Sequence, residues 1–107
     1  MKNWAGNLTF SAKEYVEIDS TSKLQSIVRN ASGIKVLATG HSFNDIADTA
    51  QTQISIKNLS NEIEIDTTKK VALVPAGMQY ADVCRYIEKK GWALFNTASL
   101  GEITVAG

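Results

Sequence analysis

The sequence predicts an α/β fold that opens with a small parallel βαβ unit, and three observations predict it. An apolar stripe at helical spacing lies between two short strand-like runs. The second run empties into Gly40-His41. Farther along, apolar residues alternate with polar ones on both sides of a turn-like Asp66-Thr67-Thr68-Lys69.

The elements follow in order. Tyr15-Val16-Glu17-Ile18 reads as a short strand, and Asp19-Ser20-Thr21-Ser22 offers several N-caps for a helix, with Ser22 and Gln25 forming a capping-box pair. Leu24, Ile27, Val28 and Ala31 recur at i, i+3, i+4 and i+7, so one face of that helix needs a sheet to cover it. Gly33 is expected to end it. Ile34 to Ala38, broken only by Lys35, reads as a strand buried on both faces. Ile54 and Ile56 suggest another strand. Ile63 and Ile65, then Val71 and Leu73, suggest a hairpin closed by Pro75 and followed by a bend at Ala76-Gly77. Tyr80, Val83, Cys84 and Ile87 again have helical spacing, with Lys89-Lys90 near the negative end of the helix dipole and a stop at Gly91. Trp92 to Phe95 reads as a strand or extended segment.

Composition narrows the function. A chain of 107 residues, 44% hydrophobic, suits one domain with a core. Eleven basic side chains balance eleven acidic ones, so no long-range field draws in nucleic acid or an anionic membrane, and any bound anion must be held locally. Neither kind of partner is expected. The single Cys84 makes no internal disulfide, Met1-Lys2-Asn3-Trp4 lacks the apolar core of a signal peptide, and no apolar run approaches the roughly 20 residues of a membrane span. The expected location is the cytoplasm. The apolar end, Ile103 to Gly107, has no polar tail and reads as the end of a truncated piece.

Chemistry concentrates at Val36-Leu37-Ala38-Thr39-Gly40-His41-Ser42. Gly40 permits positive φ and close approach of another molecule to the backbone, and consecutive amides in such a turn bind anions, phosphate especially, without any lysine or arginine. His41, the only histidine, can serve near neutral pH as a base, nucleophile or ligand. A plainer reading stands beside this one: Ser42 with Asp45 three residues later fits the cap of a short helix from Phe43 to Ala47, in which case the loop only turns the chain. The position just beyond the second strand favours a ligand, because parallel sheets gather ligands at the carboxyl ends of their strands. Elsewhere the ordinary readings prevail. Cys84 is expected as a small buried hydrophobe, Trp4, Trp92 and Phe95 as packing residues, and Lys69-Lys70 and Lys89-Lys90 as solvated charges. Asp45 and Asp48 lack further ligands at a usable spacing, so no metal is expected.

Several segments, taken in order, resemble the N-terminal part of the FAD-binding (PCMH-type) domain in the vanillyl-alcohol-oxidase-like family of flavoproteins. They are Asn3-Trp4-Ala5-Gly6-Asn7, Gly40-His41-Ser42-Phe43-Asn44, Ala76-Gly77, Gly91-Trp92-Ala93-Leu94, Ala98-Ser99-Leu100 and Val105-Ala106-Gly107. The pairing of His-Ser-Phe-Asn with Asn-x-Ala-Ser-Leu is most similar to the alditol (xylitol) oxidases, with aldonolactone oxidases as the alternative. Gly101-Glu102 departs from the Pro-His usual there.

The resemblance implies a mixed α+β domain whose first α/β subdomain covers residues 1–75 and whose second, mixed-sheet subdomain begins over 76–107. A substrate cap and the rest of the domain would lie outside the chain. It implies that Val36, Leu37, Ala38, Thr39, Gly40, His41 and Ser42 cradle FAD and that Ser99, Thr104 and Gly107 also touch it. His41 would bond covalently to the flavin 8α-methyl, the alternative being noncovalent binding. The implied reaction is hydride transfer from an alcohol, a polyol such as xylitol, to flavin and then to dioxygen, giving hydrogen peroxide. No catalytic residue falls within these residues, so the chain alone is expected to be inactive. A sugar-1,4-lactone oxidase and a truncated, non-catalytic nucleotide-binding module are the other readings.

Overall fold

The computed structural model describes every residue from Met1 to Gly107. Strand β1 (Glu14–Glu17) leads into helix α1 (Thr21–Asn30) and strand β2 (Ile34–Val36), and strand β3 (Thr52–Ser55) completes a three-stranded sheet. The hairpin β4 (Glu64–Asp66) and β5 (Val71–Leu73) follows, then helix α2 (Tyr80–Glu88). This is the expected mixture of a parallel sheet with a separate antiparallel pair.

The order of the first sheet is β1-β3-β2, with both pairings parallel and Val16, Ile54 and Val36 in register across it. Hence β1 and β2 are not neighbours as a minimal βαβ unit would have them. The later β3 takes the central place, and Gln53, Ile54 and Ser55 are all buried there. This corrects the expectation for Ile34 to Ala38: β2 is a three-residue edge strand, and Val36 is 49% exposed. An edge strand has a neighbour on one side only, so its apolar character does not translate into burial. Leu37, just past its end, is buried, and its N–H donates to the Ile54 carbonyl at 2.9 Å, carrying the ladder one residue further.

Helix α1 begins earlier than the capping-box reading places it. Ser20 is the N-cap, its hydroxyl accepting from the Lys23 N–H at 3.4 Å, so Ser22 lies inside the helix and caps nothing. The helix ends at Asn30 with Ala31 as its cap. Gly33 therefore does not terminate it; a Cβ at Gly33 would sit 3.2 Å from Cγ of Gln51, and the glycine serves close approach there. No α1 residue is fully buried, and Val28, expected on the covered stripe, is exposed.

The hairpin reverses half of the expected alternation. Its register pairs Ile65 with Ala72, and cross-strand partners share a face, so Ile63 and Ile65 point inward together with Ala72 and Val74. Val71 and Leu73 fall on the outer face and are exposed. Ile63, Val83 and Ile87 form the buried cluster of this half, packed by Ile65, Ala72, Val74, Met78, Trp92, Leu94 and Val105. Helix α2 ends near Gly91 as expected, in the left-handed conformation at φ +82°. Trp92 and Leu94 pack on the cluster from an irregular segment, whereas Phe95 projects fully into solvent and is not a packing residue. Cys84 is half-buried rather than enclosed.

The two halves meet where the chain leaves β3. A Cβ at Gly77 would lie 2.5 Å from the Ile56 carbonyl oxygen and 2.9 Å from its carbon, so only glycine lets these backbones touch. The final segment seals the second half by main-chain bonds: Tyr80 N–H donates to Ile103, Val105 N–H to Met78, and Ala106 N–H to Ala76. No helix is long and apolar enough to cross a membrane.

Candidate functional site

Because β1, β2 and β3 are parallel, their carboxyl ends share one edge of the sheet, and the second half packs beside that edge. A groove of about 630 Å³ runs between them, with Leu37, Ala38 and Thr39 beyond β2, Ser55 to Asn58 at the end of β3, and Gly77 to Gln79, Asp82 and Thr104 opposite. A smaller cavity of about 170 Å³ adjoins it, sharing Leu37, Ala38, Ile56 and Thr104. Val36, Gly40, His41, Ser42, Ile46, Ala76 and Gly107 also line this cavity, and no aspartate, glutamate, lysine or arginine does.

The loop after β2 supplies its polar character. Gly40 has φ +71°, the left-handed region that favours glycine, while a Cβ there would meet nothing closer than 3.6 Å. Its conformation, and not crowding, therefore requires glycine. The main-chain N–H groups from Ala38 through Ser42 donate to no acceptor of the chain. A run of free amides is unusual, since backbone donors are normally paired, and at a turn of this kind it can hold an anion. The helix-cap alternative is overturned: residues Phe43 to Ala47 form bends and a turn, not a helix, so Ser42 has no helix to cap.

His41 is held on two sides. Its imidazole stacks on the Trp4 indole, with ring centroids 5.0 Å apart and planes inclined by 20°, and its Nδ1 lies 2.9 Å from the Thr39 hydroxyl. Trp4 is 66% exposed, so the expectation that it packs in a core fails; its contact is the imidazole. Asn3 fastens the same loop from beneath. It is buried, its side-chain amide donates to the Ser42 carbonyl at 2.9 Å and to Asn7 Oδ1 at 2.7 Å, and its Oδ1 accepts from the Leu8 N–H. Asn7 donates in turn to the Phe43 carbonyl, and Trp4 N–H to the Gly40 carbonyl at 2.8 Å. Residue types alone give Asn3 and Asn7 no role and give Trp4 only a packing one; the signal that ties all three to the loop is their place in the first of the ordered segments.

Of the remaining candidates, Thr104 is buried and bridged to Gln79, and with Gly107 it lines the small cavity beside His41. Ser99 is exposed and lines neither cavity. Gly101, the departure from Pro, has a structural reason: a Cβ there would come within 3.0 Å of Ala81 Cβ, and its carbonyl accepts from the Ala81 N–H.

Charge in the groove is largely neutralised. Lys57, the only basic side chain between Val36 and Asn58, pairs with Glu17 at 2.5 Å, and the bonded carboxylate holds its ammonium group above the ordinary lysine range. Asn58 donates to the other Glu17 oxygen at 3.1 Å. On the opposite side of the loop, Asp48 accepts from the N–H and hydroxyl of Ser11 and from the Thr49 N–H, and these bonds hold its carboxyl below the ordinary range.

Free amides beside a cavity without carboxylates, at the carboxyl ends of a parallel sheet, are an arrangement that can hold the phosphates of a nucleotide in an α/β domain. A family model described as an FAD binding domain matches residues 12–107, and the chain belongs to that family of FAD-binding flavoproteins. It is 41% identical over 108 residues to the alditol oxidase of a Streptomyces strain, covering 98% of this chain and 26% of that protein. The L-gulonolactone oxidase of Mus musculus is 29% identical over 110 residues, with 99% of this chain and 25% of that enzyme covered. The D-arabinono-1,4-lactone oxidase of Kluyveromyces lactis is 29% identical over 114 residues, with 99% and 22% covered. The chain thus spans about a quarter of the length of these relatives.

Proposed function

We propose that this chain forms the FAD-holding part of an alditol oxidase, in which the half built on the parallel sheet and the half built on the hairpin and α2 face each other across the cofactor. The observation that carries the reading is the run of free amides from Ala38 to Ser42 beside the sole histidine. These residues fit the cofactor. The amides supply donors to a pyrophosphate, Gly40 keeps the main chain accessible, and no carboxylate lines the adjoining cavity to repel it. Thr104 and Gly107, which line the same small cavity, extend the contact from the second half, whereas the exposed Ser99 lines neither cavity and is left out of it. His41 would offer a ring nitrogen to the flavin 8α-methyl, the new C–N bond replacing a methyl C–H whose two electrons would reduce the flavin itself for reoxidation by dioxygen, so it would anchor the cofactor and not act as the acid or base of turnover.

When bound, FAD accepts hydride from an alcohol and passes the electrons to dioxygen, releasing hydrogen peroxide. The 41% identity to an alditol oxidase supports a polyol such as xylitol as substrate. An aldonolactone substrate is the second reading, supported by the lactone-oxidase relatives. The unpaired Cys84 supports a reducing cytoplasm.

Absorbance and intact mass of the longer protein that carries this chain test the anchor. The expected result is a yellow protein whose mass exceeds the polypeptide by one FAD after denaturation, an excess that His41→Ala abolishes. Complete release of flavin from the denatured wild type would refute covalent attachment. Peroxide formation with polyols and with aldonolactones separates the two substrate readings, and the 107-residue chain alone is expected to turn over neither.

A further inference from the structure

We propose that Trp4 and Thr39 are positioning residues that lock the His41 imidazole in one orientation before any cofactor arrives. The purpose of that lock rests on the reading of His41 as the flavin anchor; its geometry does not.

A half-buried histidine on an irregular loop would ordinarily exchange among rotamers, because nothing regular in the backbone selects one. Here two contacts of different kinds remove that freedom. The indole covers one face of the ring, and the Thr39 hydroxyl engages Nδ1. Thr39 is two residues from His41 on the same loop, and the Trp4 main chain is tied to that loop by its N–H bond to the Gly40 carbonyl. Asn3, next to Trp4, is buried and bonded to the Ser42 carbonyl, so the residues on either side of the Gly40-His41 peptide are tied to the N-terminal segment.

The exposure of Trp4 is the telling point. A tryptophan left 66% exposed contributes little to a core, yet its ring lies nearly parallel to the only imidazole in the chain. The arrangement leaves Nε2 and the uncovered ring face without a partner in the chain, beside the small cavity that His41 lines. A nucleophile held in place reacts faster than one that must first find its orientation, and an aromatic contact of this kind is worth up to about tenfold in the population of the held state.

The test uses the 107-residue chain, whose single histidine gives one pair of carbon-bound imidazole proton signals by NMR. Stacking on Trp4 moves them upfield and gives cross-relaxation with indole protons. Trp4→Leu is expected to abolish both, Trp4→Phe to keep part of the shift, and the exposed position makes either change mild for the fold. Carbethoxylation of His41 by diethyl pyrocarbonate reads the lock chemically: Trp4→Leu, which uncovers a ring face, and Thr39→Val, which frees Nδ1, are expected to raise the rate by up to about tenfold. Trp4→Phe and Thr39→Ser are expected to restore it. Unshifted wild-type imidazole signals, or wild-type rates in both Trp4→Leu and Thr39→Val, would overturn the proposal.

In the longer protein, the rate of covalent flavin incorporation, followed by mass, separates this inference from the reading beneath it. An upfield-shifted His41 in a protein that never retains flavin leaves the lock standing and removes the anchor. Wild-type incorporation in Trp4→Leu does the reverse.

Discussion

The two halves of the molecule are stabilised by different means. The hairpin and α2 close around Ile63, Val83 and Ile87 with seven further apolar residues packed on them. The parallel sheet buries Ile18, Leu37 and Ile54, its helix α1 has no fully buried residue, and the loop after β2 is held by Asn3, Asn7, Trp4 and Thr39. Apolar packing stabilises without prescribing the direction of any one group. Hydrogen bonds and a ring stack prescribe direction at modest stabilisation. The half that carries the free amides and the imidazole is built by the second means, and the half that carries the hairpin and α2 is built by the first.

The largest expected effect breaks the packed half. Ile87→Ala removes a core side chain and should cost about 2–5 kcal/mol in chemical denaturation. Val28→Ala on α1 of the other half should stay within about 0.5 kcal/mol, as for other exposed positions. Comparable losses at the two sites would erase the contrast.

Next comes the joint. Gly77→Ala sets a methyl group against the Ile56 carbonyl, and the resulting backbone shift should cost about 1–3 kcal/mol in thermal or denaturant unfolding. An unchanged midpoint would mean that the halves are not in close contact there.

The smallest effect sharpens the account of the polar half. The Asp48 carboxyl is held below its ordinary range by bonds from Ser11 and Thr49, so it binds protons more weakly folded than unfolded. Its contribution is present above the unfolded value near pH 4 and is lost as pH falls through the lower folded value. Asp48→Asn should therefore lower stability at neutral pH and flatten the decline below about pH 4, read from melting temperature against pH. An acid limb that keeps the wild-type slope would place the sensitivity elsewhere.

Local pattern made much of the architecture legible. The stripe Leu24, Ile27 and Ala31 marks a helix because helical spacing is a property of neighbouring residues, and Gly91 marks the end of α2 because positive φ is costly for any other residue there. Apolar character in Val36, Val71 and Leu73 does not become burial, because burial depends on which strand lies alongside, and β3 and the Ile65–Ala72 register decide that. Gly40 and His41 stand out in the sequence; the hold on them by Asn3, Trp4 and Asn7 does not, because those residues lie more than thirty positions away.

Residue order alone identifies the elements, the glycine turn at the end of a strand, and the flavoprotein family, since each is written in contiguous residues or in the succession of short motifs. Folding in three dimensions alone decides which strand is central, which apolar face is covered, and how the imidazole is aimed. Those outcomes depend on contacts between segments distant in sequence, and no local preference encodes the distance between two side chains that meet only after the chain has closed.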